Sequence, residues 1–143
     1  MDSFATLSNN DREVIESGDE EVFLLYIMAH IFLGKMYLWY RRVGDFFFED
    51  VIKAIRNDLK LDAITTYTVL CVIVDMGYAT AGTLKVEGAG RENYLRLTDK
   101  GRVQMAYWHI MGEDIAFEMT REWHLRHRNK TSGISINRME VVS

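Results

Sequence analysis

The chain has 143 residues, 48% of them hydrophobic and 27% charged, with a formal net charge of -4. That is about one domain's worth of material with enough apolar surface for a core, and its acidic balance excludes the strongly basic composition of a histone-like nucleic-acid binder. One cysteine, Cys71, excludes an intramolecular disulfide framework and a cysteine-rich zinc module, while the absence of proline removes Pro-rich linkers and forced helix breaks.

The opening stretch, "MDSFATLSNNDREVIESGDEE", is acidic and lacks a basic start followed by an apolar run, so the expectation is a cytoplasmic chain. Residues 1–19 read as an acidic arm, either solvated or holding a short helix that starts near Ser8, with Asp11 completing a capping box and Gly18 ending it. The main domain is expected over 20–128.

"EEVFLLYIMAHIFLGKMYLWYRR", Glu20 to Arg42, is the most apolar stretch and long enough to test as a membrane span. His30 and Lys35 interrupt it, and Tyr26, His30, Gly34, Tyr37 and Arg41 form one narrow polar stripe at helical spacing. The expectation is therefore a buried central helix with no membrane partner, shared across a dimer interface or kept within one subunit. His30 reads as a hydrogen-bonded core histidine.

A second helix is expected over "FFFEDVIKAIRNDLK", Phe46 to Lys60, because Val51, Ile52, Ile55 and Leu59 repeat at helical spacing after the break at Gly44-Asp45. A third follows in "ITTYTVLCVIVDMGYA", Ile64 to Ala79, with Thr66, Val69, Leu70 and Ile73 facing inward and Gly77 at the left-handed stop. "TLKVE" and "ENYLRL" alternate like strands around Gly88, Ala89 and Gly90, giving a β-hairpin over Thr83 to Leu97 with Leu95 and Leu97 inside. Thr98 caps the next helix, which carries "RVQMAYWHIM" and, after a break at Gly112, "EDIAFEMTREWHLRHR". Residues 129–143 read as a polar tail, frayed or a swapped strand.

This order of elements, with "YLRLTDKGR" joining a hairpin to a helix, resembles the winged helix-turn-helix family, and most of all its regulators of the multiple-antibiotic-resistance and phenolic-acid-regulator type. The resemblance spans about Phe46 to Arg102 and is looser outside it. It implies an α+β, mainly helical fold: a winged helix-turn-helix with a two-stranded wing and flanking N- and C-terminal helices. It also implies a homodimer binding double-stranded DNA through its third helix and wings, as a transcriptional regulator or a phage or plasmid DNA binder.

The third helix has no lysine or arginine, and Asp62 and Asp75 flank its outward face. Of that face, Thr65, Tyr67 and Thr68 suit a groove, whereas Cys71, Val72, Val74 and Met76 suit burial. The positive charge lies in Lys85, Arg91 and Arg96 of the hairpin, in Lys100 and Arg102 just after it, and in Arg121, Arg126, Arg128, Lys130 and Arg138 toward the C-terminus, with Arg91 at the wing tip. Thr65, Tyr67, Thr68, Lys85, Arg91, Arg96, Lys100 and Arg102 are the expected DNA contacts. The acidic balance and apolar outward positions support an alternative, a winged-helix module repurposed for protein–protein interaction, such as an inhibitor of a nucleic-acid-processing complex.

Chemistry of other kinds finds less support. His124 and His127 share a helical face, with His109, Glu118 and Glu122 as further donors, but no third ligand follows from spacing and no metal or other cofactor is expected. "GAG" at Gly88 to Gly90 has turn spacing rather than phosphate-loop spacing, and no serine sits in a nucleophile elbow, so the expectation is a protein that is not an enzyme. Tyr26, Tyr37, Trp39, Tyr40, Tyr107, Trp108 and Trp123 suit core packing more simply than an effector cavity.

Overall fold

The computed structural model describes residues 7–88 and 90–142, with backbone only for 128–142. The fold is α+β and mainly helical, in the order α1 (Asn9–Ser17), α2 (Glu20–Val43), β1 (Phe46–Phe48), α3 (Glu49–Leu59), α4 (Ala63–Asp75), β2 (Ala79–Val86), β3 (Gly90–Leu97) and α5 (Asp99–Val142). Residues 25–112 form one compact unit, and residues 1–24 with 113–143 form another.

In the 25–112 unit, the strands make an antiparallel sheet in the order β1-β3-β2. Its inner face supplies Phe47, Ala79, Leu95 and Leu97 to a core completed by Ala29, Phe32, Leu33 and Met36 of α2, Ile55 of α3, Val69 and Ile73 of α4, Tyr78, and Met105 of α5. Leu95 and Leu97 point inward because side chains alternate along a strand, as the sequence pattern requires. Phe46, Phe48, Tyr94 and Arg96 take the other face, where the Arg96 guanidinium lies 5.3 Å above the Phe46 ring.

The structure corrects the start of the second helix. Phe46–Phe48 is a strand, paired Phe46 to Arg96, Phe47 to Leu95 and Phe48 to Tyr94, and the helix begins at Glu49. Three consecutive phenylalanines fit either state locally, and pairing with β3 decides for the strand. The hairpin begins at Ala79, four residues before the expected Thr83.

On α2, the stripe of Tyr26, His30, Gly34, Tyr37 and Arg41 runs inward along much of its length, with Tyr26, His30 and Gly34 buried and Arg41 exposed. His30 is satisfied on both ring nitrogens: Nδ1–H donates to the Tyr26 carbonyl at 2.7 Å, and Nε2 accepts from the Tyr78 hydroxyl at 2.9 Å. Gly34 lets α2 approach α5, since a Cβ there would stand 3.0 Å from the Trp108 backbone. By length and composition α2 is apolar enough to cross a membrane, and half of its apolar window is buried within the molecule.

In the other unit, Ser8 and Asp11 form the expected capping box of α1, and Gly18 ends the helix at φ 72. Asp19 then caps α2 by accepting the Val22 N–H at 3.1 Å. Ile15, Phe23, Ile115, Met119 and Trp123 are buried, with the Phe23 and Trp123 rings stacked at 4.4 Å. His127 Nε2–H donates to the Ile15 carbonyl at 2.6 Å, near the C-terminal end of α1. The backbone of α5 continues through Gly112, where a break was expected, and is helical as far as Val142 instead of ending before a tail. The side chains of 128–142, including Arg128, Lys130 and Arg138, lie outside the described residues, as do residues 1–6, Ala89 and Ser143.

Candidate nucleic-acid interface

Helix α4 starts after Asp62, whose extended backbone and carboxylate make it the N-cap: Oδ1 accepts the Thr65 N–H at 2.6 Å. Backbone and then side-chain hydrogen bonds from Thr65, with a further backbone bond from Ile64, hold the Asp62 carboxyl below its ordinary range against the opposing effect of desolvation. The N-terminus of α4 therefore already holds an anion, at the place where helix N–H groups would otherwise receive a phosphate.

The three threonines of the first turns are also engaged. Thr66 donates to the Asp62 carbonyl at 2.7 Å and Thr68 donates to the Ile64 carbonyl at 2.9 Å, while Thr65 gives its backbone N–H to Asp62. A hydroxyl has one proton to give, so Thr66 and Thr68 keep only acceptor capacity for a ligand. Acceptors repel phosphate oxygens. Tyr67 remains, 70% exposed, beside Ile64 at 81%. Ile64 was not among the expected contacts, although recognising Asp62 as the cap would have placed it in the first turn, where side chains face out.

Farther along, Thr66, Val69 and Ile73 are buried, as their spacing requires. Leu70, Val72, Val74 and Met76 pack partly against the same core, so burial within the subunit accounts for most of the apolar outward positions. Cys71 is half-buried and Asp75 is exposed. Gly77, at φ 78, ends this segment in the left-handed region.

In the hairpin, Lys85 pairs directly with Arg91 across β2 and β3, next to the Val86–Gly90 pair that closes the strands. Both are exposed, and neither has a hydrogen bond or ion pair among the described residues. They share the sheet face that carries Leu95 and Leu97 nearer its base. Like charges directly opposite each other are destabilising by themselves, and an anion lying between them reverses the sign. Arg96, two pairs from the base of the sheet, is exposed on the other face and rests on Phe46.

The join to α5 is arranged differently. Thr98 caps α5 by accepting the Gly101 N–H at 3.0 Å, and its own hydroxyl donates to the Gly77 carbonyl at 2.6 Å. Lys100 reaches back to the Met76 carbonyl at 2.8 Å and lies 5.3 Å from the Tyr78 ring center, giving the end of α4 a positive charge. Arg102 binds Asp45 at 3.1 Å and also pairs with Asp99. Lys100 and Arg102 thus tie α5 to the end of α4 and to the start of β1.

Of the eight expected contacts, the fold leaves Tyr67, Lys85, Arg91 and Arg96 open to a partner and engages Thr65, Thr68, Lys100 and Arg102 internally. Elsewhere, His109 stacks on Tyr37 at 4.3 Å and His127 serves Ile15, and no three metal-ligating side chains gather among the described residues. Compared with known proteins, the chain matches no protein-family model, no curated protein and no solved structure.

Proposed function

We propose that the chain is a winged helix-turn-helix protein that binds double-stranded DNA as a dimer, in the manner of a transcriptional regulator or a phage or plasmid DNA binder, and that its wing leads the contact. The order α2-β1-α3-α4-β2-β3, with β3 in the middle of the sheet, supports the fold. The observation that carries the function is the Lys85–Arg91 pair, two cations held opposite each other at the hairpin end. Such a pair suits phosphates or a narrow minor groove, with Arg96 as a further backbone contact and Tyr67 as an exposed hydrogen-bonding side chain on α4 that can approach a base or sugar.

The test is fluorescence anisotropy of the full chain with a mixed pool of duplex DNA at low salt. The wild type binds, and Lys85→Glu/Arg91→Glu weakens binding by about 100-fold or more, since each reversal replaces an attraction by a repulsion at the phosphates. Absence of wild-type binding at low salt sinks the reading.

A second reading rests on α4. Its N-terminus is occupied by Asp62 and presents Ile64 and Tyr67 to solvent, which favours an apolar protein partner over a phosphate backbone. The same variants separate the two: charge reversal at Lys85 and Arg91 leaves protein capture at α4 unchanged, and Ile64→Asp abolishes it.

A further inference from the structure

The three-stranded sheet buries one face in the core of the 25–112 unit and leaves the other outside it. Alternation along β1 and β3 puts Phe46, Phe48, Tyr94 and Arg96 on that outer face, with Phe46 opposite Arg96 and Phe48 opposite Tyr94. None of the three aromatic residues belongs to the core, and all remain partly exposed. Their rings gather against one another instead. Phe46 and Phe48 are parallel to within 16°, with centroids 6.5 Å apart, and the Tyr94 ring stands 5.5 Å from Phe46. On its other side Tyr94 is opposite Gly82 of β2, where a Cβ would stand 2.8 Å from the phenol oxygen. The missing side chain lets the ring lie over β2, so the aromatic surface reaches across all three strands.

Two hydrogen-bonding groups in this surface are unused among the described residues. Neither the Tyr94 hydroxyl nor the Arg96 guanidinium makes a hydrogen bond or ion pair there, and the guanidinium lies 5.3 Å over the Phe46 ring. The acids that bracket β1 are engaged elsewhere, Asp45 with Arg102 at 3.1 Å and Glu49 with Lys53 at 3.4 Å. In a chain of net charge -4, an exposed arginine laid on an aromatic ring and kept from acids is set to receive an anion from outside. Glu92, on the same face beyond the end of β1, repels a phosphate and so directs it to the Arg96 end. A peptide carboxylate would satisfy Arg96 and leave the rings without a planar partner. Duplex DNA offers phosphates, but its base faces are already stacked on each other. Unpaired bases with their phosphates satisfy the rings and the arginine together.

From this combination we infer that the outer face of the sheet is a stacking site for single-stranded nucleic acid. Phe46, Phe48 and Tyr94 take base faces, Arg96 takes the adjoining phosphate, and the Tyr94 hydroxyl bonds a sugar or phosphate oxygen. The site goes beyond the duplex-binding reading, since Lys85 and Arg91 lie on the opposite sheet face and Arg96 alone is common to the two.

The experiment is fluorescence anisotropy of the full chain with labelled oligothymidine and oligouridine strands of about ten nucleotides, with circular dichroism confirming that each variant is folded. The wild type binds at least one strand, and the tighter one names the source of the bases. An abasic strand of the same length, which keeps the phosphates, binds about tenfold or more weakly. Tyr94→Ala and Phe46→Ala each weaken binding by about tenfold, whereas Tyr94→Phe, which keeps the ring, stays within about threefold of wild type. Arg96→Gln lowers affinity and reduces the salt slope by about 0.7. Lys85→Ala/Arg91→Ala leaves single-strand binding within about threefold, and Tyr94→Ala leaves duplex binding within the same margin, so the two sites fail separately. Absence of wild-type binding to either strand overturns the site, as does equal binding of the abasic strand or unchanged binding by Tyr94→Ala. If the alanine variants do not fold, the abasic strand and Arg96→Gln still decide.

Discussion

The carboxylate of Asp62 accepts the Thr65 N–H at 2.6 Å, where a DNA phosphate approaching the start of α4 would have to place an oxygen. Two effects of this one group separate on substitution. An asparagine keeps the capping acceptor and removes the charge. If α4 approaches DNA, Asp62→Asn should strengthen binding several-fold in the anisotropy titration, whereas a surface that binds only protein shows no such gain. The carboxyl is also held below its ordinary range in the folded chain, so its contribution to stability is fully present above the unfolded value and is lost as pH falls through the lower folded value. Thermal unfolding from neutral to strongly acidic pH should therefore show a difference between wild type and Asp62→Asn that is constant above the carboxylate range and changes only within it. A difference that instead appears near neutrality would mean that Asp62 is not the group responsible. Sequence pattern alone gave this residue the role of a repulsive flank, because its capping geometry depends on the extended conformation at 62.

At the level of elements, α5 starts against the end of α4 with almost no space between them. A Cβ on Gly101 would lie 1.8 Å from the Tyr78 carbonyl oxygen, a backbone atom that cannot turn aside, whereas a Cβ on Gly112 would meet the Trp108 ring at 3.4 Å, an ordinary contact. Gly101→Ala should thus lower the unfolding free energy by about 1–3 kcal/mol in urea titrations. Gly112→Ala in the same helix should leave it level or raise it by up to about 1 kcal/mol, through helix propensity. Equal effects of the two would place the join elsewhere. The glycine in "LTDKG" was legible as part of a strand-to-helix signal, and so were the inward leucines, the Gly77 stop and the Ser8 cap, all of which depend on neighbours close in sequence. Phe46–Phe48 was not legible as a strand, because its partner β3 lies some fifty residues away and three residues carry too little periodicity. Lys100 and Arg102 looked like DNA contacts for the same reason, since the Met76 carbonyl and Asp45 that engage them are distant in sequence. Lys85 and Arg91 were legible as basic residues of a hairpin, but their direct opposition depends on its register.

For the molecule as a whole, a net charge of -4 means that any attraction to DNA comes from a local arrangement and must overcome a general repulsion. The number of phosphates neutralised then becomes a measure of how much of the surface takes part. If a dimer binds DNA through Lys85 and Arg91 of each copy, about four counterion-releasing contacts follow, and the slope of log K against log salt should be near -3.6. A single copy using the same pair would give about -1.8, and a dimer that added Arg96 from each copy about -5.4. Measured by anisotropy over a salt series, the slope separates these arrangements without knowledge of a preferred sequence. A slope near -7 would require four cations per copy, more than Lys85, Arg91 and Arg96 supply, and would mean that Lys100 or Arg102 leaves its internal partners on binding. Loss of the Arg102–Asp45 pair would loosen the link between α5 and the start of β1, so such binding should come with faster amide exchange at the beginning of β1. A slope of -3.6 with that exchange unchanged is the result expected if the wing alone carries the contact.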